Sequence, residues 1–224
     1  MKTSSWVTLI LAIILIGGAV WYFTSGPSAP GSNAATTTPP VETTTTSQGL
    51  TFAIGSYALA TAGESLLSTS SVPPCDQGFD YCIYKHDSEF AGTNFDSAGL
   101  SITARPDLVT QSTCLTTAPA GYASSIAPSS TSSGTDYAAS VFADLAGGAA
   151  GHEVVNSYYR LYQSASGACT ELVLRVAQTA YGNYPPGTIQ EFTTTDQAQV
   201  ISELQSILAS TTLSGAPIAW PSAS

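Results

Sequence analysis

Basic side chains are scarce in this sequence: five Lys+Arg stand against fifteen Asp+Glu, a formal net charge of −10 at pH 7. Such a chain repels a phosphate backbone and an anionic lipid surface, so nucleic acid is excluded as a partner. The acid excess, set in Ser/Thr-rich sequence, reads as a solubility device. Catalytic signatures are missing as well. No Gly-x-Ser-x-Gly elbow singles out a nucleophile, and no P-loop pattern cradles a phosphate. Cys-x-x-Cys redox spacing and Asp-x-Asp-x-Asp-Gly calcium spacing are both absent. No Asn-x-Ser/Thr acceptor occurs, and no period of about 20 to 50 residues repeats, which argues against a solenoid or propeller. With His86 and His152 the only histidines, few titratable groups are left to converge on a reaction.

What is abundant comes first at the N-terminus. Trp6 to Phe23 reads WVTLILAIILIGGAVWYF, an uncharged run of 18 residues. At the helical rise this length just crosses a hydrocarbon core of roughly 30 Å. A cleaved signal peptide would have a shorter core and a small-x-small site close behind it, whereas Trp21, Tyr22 and Phe23 close this run like an interfacial aromatic belt. The expectation is a permanent single-pass anchor. Lys2 is the only basic residue before Lys85, which places the N-terminus in the cytoplasm and the rest of the chain outside.

Residues 24–48 hold one charge, Glu42, and no large apolar side chain beyond Val41, too little to offset their ordering entropy. They are expected to be a disordered Ser/Thr/Pro-rich linker that lifts residues 49–213, about 165 residues and one domain, off the membrane. Residues 214–224 read as a flexible tail. Within the domain, Tyr158–Gln163 and Ala168–Ala177 are strand-like runs around the turn-forming Ser164–Gly167. Their pairing sets Arg160 opposite Glu171, read as a surface ion pair of modest value. Leu172, Leu174 and Val176 share one face of the second strand. Thr195–Ala209 carries Val200, Ile201, Leu204, Ile207 and Leu208 at helical spacing, with the cap at Thr195 or Asp196. Leu50–Ile54 and Gly99–Ala104 alternate like short strands, and Ala123–Thr135 reads as a low-complexity loop. The fold class is α+β: an antiparallel sheet with a C-terminal amphipathic helix, preceded by the transmembrane helix and linker.

Four cysteines in an externalised domain imply disulfides, with three pairings open. Cys75 and Cys82 bracket a Pro/Gly-containing loop that a local bond closes; Cys114 and Cys169 then join a distant loop to the late hairpin. His86, with Asp76, Asp80 and Asp96, lies in the densest acidic region and reads as solvated loop. His152 follows Gly147–Gly151 as a flexible turn into a strand. No metal site and no cofactor are expected.

The opening strand, the long excursion, the late pair ending in YYRLY and CTELVLRV, and the closing amphipathic helix are similar in order to the PsbP/Mog1-like fold, over residues 49 to 210. That resemblance implies a binding or assembly factor and carries over no site residue. The function expected is a membrane-anchored extracytoplasmic binding or assembly domain, its partner an envelope protein or small ligand. A hydrolase built around His86 or His152 and a cell-surface spacer are the alternatives. Tyr181 and Tyr184, on a Gly/Pro turn, are the candidate contact residues, because tyrosine joins apolar area to a polar tip. Tyr158 and Tyr162, on the strand, read as packing residues beneath the Cys114 loop.

Overall fold

Alternating side chains around short turns build two antiparallel sheets, which the computed structural model describes over residues 44–54, 57–61, 75, 79–85, 87–149 and 151–223. The anchor Trp6–Phe23, linker residues 24–43, Asp76 and His86 lie outside the described residues. Among the described residues no helix is long and apolar enough to cross a membrane. The elements in chain order are β1 (Thr44–Ser47), β2 (Leu50–Ala53), β3 (Ala58–Thr61), β4 (Tyr81–Tyr84), β5 (Phe95–Ala104), α1 (Gln111–Thr116), β6 (Ser130–Ser133), β7 (Tyr137–Gly147), β8 (His152–Gln163), β9 (Ala168–Thr179), α2 (Thr194–Ala209), β10 (Thr212–Leu213) and β11 (Ala216–Pro217). The larger sheet has seven strands in the order β3-β4-β5-β9-β8-β7-β6, and the smaller has four in the order β1-β2-β10-β11. The fold is thus broadly α+β.

The hairpin β8–β9 is the centre of the larger sheet. Its strands are longer than their sequence pattern and pair in one unbroken register from His152↔Thr179 to Gln163↔Ala168. On the inner face Leu172, Leu174 and Val176 join Leu100 and Ile102 of β5, and against them α2 sets Val200, Leu204, Ile207 and Leu208. The helix begins at Thr194, ahead of its apolar stripe, which starts at Val200. Thr193 is the N-cap and Asp196 the third residue of a reciprocal capping box, so the cap lies ahead of the Thr195 or Asp196 expected.

Three stretches expected to be irregular are ordered. Gln48 (φ 52°) and Gly49 (φ 78°) both take left-handed backbone, the requirement of a two-residue hairpin turn, so Thr44–Ser47 folds back on β2 and the domain reaches into the expected linker. Ser214 (φ 52°) and Gly215 (φ 84°) repeat the device between β10 and β11. The tail is therefore docked: Ile218 is buried, and the Trp220 ring meets Tyr159 edge-on at 5.8 Å. The Ser130 and Ser132 hydroxyls of β6 donate to the Ser222 and Ala219 carbonyls, and the Tyr137 hydroxyl accepts from the Ala219 N–H at 2.7 Å. β6 itself lies inside the stretch 123–135, where serine-rich composition carries no apolar alternation.

The outer face of the sheet is roofed by α1. Cys114 is bonded to Cys169, and with Leu108, Leu115 and Ala138 they form a second small core against which Tyr162 packs. Cys75 is bonded to Cys82. Both pairings are the ones expected, and both fit an oxidising, extracellular environment.

Candidate functional site

The residues Tyr181 and Tyr184 are placed by the end of β9. Beyond Thr179 the chain makes a single 3-10 turn, Tyr181–Asn183, and then runs through Pro185 and Pro186. Four contacts pin this loop. The Ala180 N–H donates to the Gly151 carbonyl at 2.7 Å, the Asn183 amide reaches the same oxygen at 3.3 Å, Tyr184 and Thr179 share a hydroxyl hydrogen bond of 2.8 Å, and the Gln190 N–H donates to Gly92 at 2.9 Å. Gly151 is required here: its φ is +84°, and a Cβ would come within 2.5 Å of the Asn183 amide nitrogen. On this fixed base Tyr181 and Tyr184 remain 40% and 37% exposed. Two large phenol side chains on a pinned turn supply contact area with hydroxyl tips and little conformational entropy to lose.

His152 borders this loop, pairing with Thr179 across the hairpin. Its Nδ1 lies 3.7 Å from Asp96 Oδ2, and its side chain is 51% exposed. Among the described residues no serine hydroxyl hydrogen-bonds to His152, so the pieces of a nucleophile–base pair are not brought together there. The acidic residues do not converge either. Asp80 accepts from the Ala104 N–H at 2.7 Å, at one end of β5, while Asp96 sits at the other end. Among the described residues no group of three or more His, Cys, Asp and Glu side chains is placed to hold a metal ion.

Tyr158 and Tyr162 separate from the loop tyrosines. Tyr162 lies under the Cys114–Cys169 bond, and the Tyr158 ring meets Tyr122 edge-on at 5.8 Å. These are packing positions.

Two ionic clusters were not legible as such. Arg160 does lie opposite Glu171, but the pair is buried rather than on the surface: Arg160 is 0% exposed because α1 and the Cys114 loop cover it. Its guanidinium contacts Glu171 and donates to the Cys114 carbonyl at 3.2 Å. Arg105 also donates to both Glu171 oxygens at 3.1 Å and to Asp107 at 2.7 Å and 2.9 Å. Glu171 therefore serves two arginines. Burial holds the Arg160 guanidinium below its usual range, opposed by the Glu171 charge. The Arg105 hydrogen bonds hold the exposed Asp107 carboxyl below its own.

The second cluster joins β4 to α2. Lys85 is buried, bonds Glu203, and reaches Glu89 at 2.7 Å. Tyr57 donates to the same Glu203 oxygen at 2.7 Å, and Gln199 donates to the other at 3.0 Å. Burial alone would raise the Glu203 carboxyl; hydrogen bonds from Lys85, Gln199 and Tyr57 outweigh it and hold the group below its ordinary range. Burial likewise works against the Lys85 ammonium, yet Glu203 and Glu89 raise it. Tyr57 is raised by burial and by Glu203. The i,i+4 spacing of Lys85 and Glu89 was a visible signal; nothing local pairs 85 with 203. The first cluster balances two arginines with Glu171 and Asp107, the second sets two carboxylates against one lysine, and both tie elements of the fold together.

No family model, curated protein or solved structure matches the chain.

Proposed function

We propose that this protein is a binding or assembly domain of the cell envelope, held outside the membrane by Trp6–Phe23, and that it contacts an envelope partner through Tyr181 and Tyr184. The observation that carries the reading is the exposure of two tyrosines on a turn fixed at both flanks, since exposed rigid aromatics are the common anchors of recognition surfaces. Two disulfides fit the external location, and the order of elements read from the sequence resembles the PsbP/Mog1-like fold, which implies a binding or assembly role. Among the described residues His152 lies 3.7 Å from Asp96 and no serine hydroxyl is hydrogen-bonded to it. A photo-crosslinking amino acid at position 181 or 184 in living cells tests the reading. It should trap one discrete envelope adduct, while the same group at Val109, 70% exposed at the opposite end of the sheet, should not. Equal labelling from all three positions would count against a specific site.

A further inference from the structure

The tyrosine loop between β9 and α2 hangs from two supports that are remote from each other in sequence. On one side the Gly151 carbonyl accepts from the Ala180 N–H at 2.7 Å and from the Asn183 amide at 3.3 Å. On the other side the Gly92 carbonyl accepts from the Gln190 N–H at 2.9 Å, and the Asn94 side-chain oxygen accepts from the Phe192 N–H at 2.6 Å. The first support runs directly into His152, and the second leads on to Asp96. Those are the two residues whose Nδ1 and Oδ2 lie 3.7 Å apart.

Strand register alone does not bring them together. β9 lies between β5 and β8, so residues of the two outer strands are separated by about 10 Å of sheet. Asp96 crosses that gap as the extra residue of a bulge: Phe95 pairs with Gln178 and Ser97 with Ala177, which leaves Asp96 without a register partner on β9. A bulge of this kind re-aims its side chain. Across the hairpin His152 stands opposite Thr179, whose hydroxyl shares a 2.8 Å hydrogen bond with Tyr184 and donates to the Asn94 carbonyl at 3.2 Å. The His152 backbone is held as well. Its N–H donates to the Ala149 carbonyl at 3.1 Å, and its own carbonyl passes where a Cβ on Gly148 would come within 2.0 Å.

We propose that His152 and Asp96 form a pH-operated clasp on the tyrosine loop, closed by the imidazolium and open when the imidazole is neutral. At 3.7 Å the pair is longer than a hydrogen bond, and protonation supplies the charge that draws the two groups together. Histidine is the side chain that changes charge between about pH 5 and about pH 8. Around the ring β9 presents Thr179, and the loop presents its phenols. The Glu153 carboxylate next to His152 accepts from Gln178 at 2.9 Å, Glu191 is exposed on the return of the loop, and Arg175 lies farther back along β9, level with Asn156. Among the described residues the ion pair of His152 is with Asp96 alone. Closing it joins the two supports and holds Tyr181 and Tyr184 in place. That consequence rests on the reading of the two tyrosines as the contact surface, whereas the clasp itself does not. Because both side chains are open to solvent, the pair supports a change of roughly twofold to fivefold.

The test is amide hydrogen exchange of the full chain in neutral detergent at about pH 5.5 and about pH 7.5, each rate being divided by the intrinsic rate at that pH. Protection of the Ala180 and Phe192 N–H groups should be roughly twofold to fivefold higher at the lower pH. The Cys114 N–H, which donates to the Thr110 carbonyl at 2.8 Å in α1, should keep one value. His152→Asn and Asp96→Asn should each remove the difference, the first also excluding His86 as its source. No difference in the wild-type protein, an equal difference at Cys114, or a difference that survives either substitution would overturn the clasp. The measurement needs no partner, so it is separable from crosslinking at positions 181 and 184. An adduct without pH-dependent protection overturns the clasp alone; pH-dependent protection without an adduct supports the clasp and counts only against the contact surface.

Discussion

Glu171 is the residue on which the outer face of the sheet depends most. It answers both Arg105 and the fully buried Arg160, and Arg160 also ties the carbonyl of disulfide-bonded Cys114. Removing the carboxylate leaves a guanidinium in a site sealed by α1, and uncompensated buried charges of this kind cost about 3 to 5 kcal/mol. Glu171→Ala should therefore lose most of its stability margin in urea denaturation, whereas a loss under about 1 kcal/mol would mean that water reaches Arg160. Lys85 and Glu203 predict a pH dependence. Glu203 is depressed below its ordinary 4.5, so its contribution is present above that value and is lost as pH falls through the folded one. Lys85 is raised above its ordinary 10.5, so its contribution is present below 10.5 and is lost as pH rises through the folded one. The melting temperature of Glu203→Gln should thus lie a constant amount below wild type across the neutral range, and the gap should close in acid. A gap that persists unchanged at about pH 3 would show that the tie is not electrostatic.

At the scale of elements, what was readable followed a local period. The β8–β9 hairpin was legible because Ser164–Gly167 interrupts two alternating runs, and that spacing alone fixes Arg160 against Glu171. Helix α2 was legible from its apolar stripe. By contrast β6, spelled STSS, has no alternation to read, and its order comes from pairing with β7 and from hydroxyls that grip the returning tail. The tail docks through Ile218 and Trp220, an isolated pair of apolar residues whose partner Tyr159 is about sixty positions away. The ionic clusters stayed illegible for the same reason: Lys85 and Glu203 are separated by 118 positions, and a formal charge in a sequence does not state whether a helix will later cover it. The tyrosine loop was readable in part, since Gly and Pro mark Tyr181–Gly187 as a turn, but its anchoring on Gly151 was not. The two disulfides divide unequally between elements. Cys114–Cys169 spans 55 positions and joins α1 to β9, worth about 4 kcal/mol in the chain-entropy account, while Cys75–Cys82 spans 7 and is worth about 2.5. Calorimetry on the paired serine variants should show the larger fall in melting temperature for Cys114→Ser/Cys169→Ser; the reverse order would mean that the α1 roof contributes little.

For the whole molecule, an acidic, disulfide-braced domain gives its buried Lys85 and Arg160 carboxylate partners and leaves Tyr181 and Tyr184 exposed beyond one end of β9. That distribution suits recognition at short range better than electrostatic capture from a distance. Tyr181 and Tyr184 stand at the β9 end, beside His152, whereas α1 and the Cys114–Cys169 bond stand at the other. Loss of the tyrosines should therefore leave the core untouched. The most direct test of the account is quantitative affinity capture from envelope extracts with the wild-type chain and with Tyr181→Ala/Tyr184→Ala, each first matched for melting temperature. The account predicts equal melting and at least a tenfold loss of the same protein that crosslinks to position 181 or 184. Undiminished capture by the double variant would contradict it.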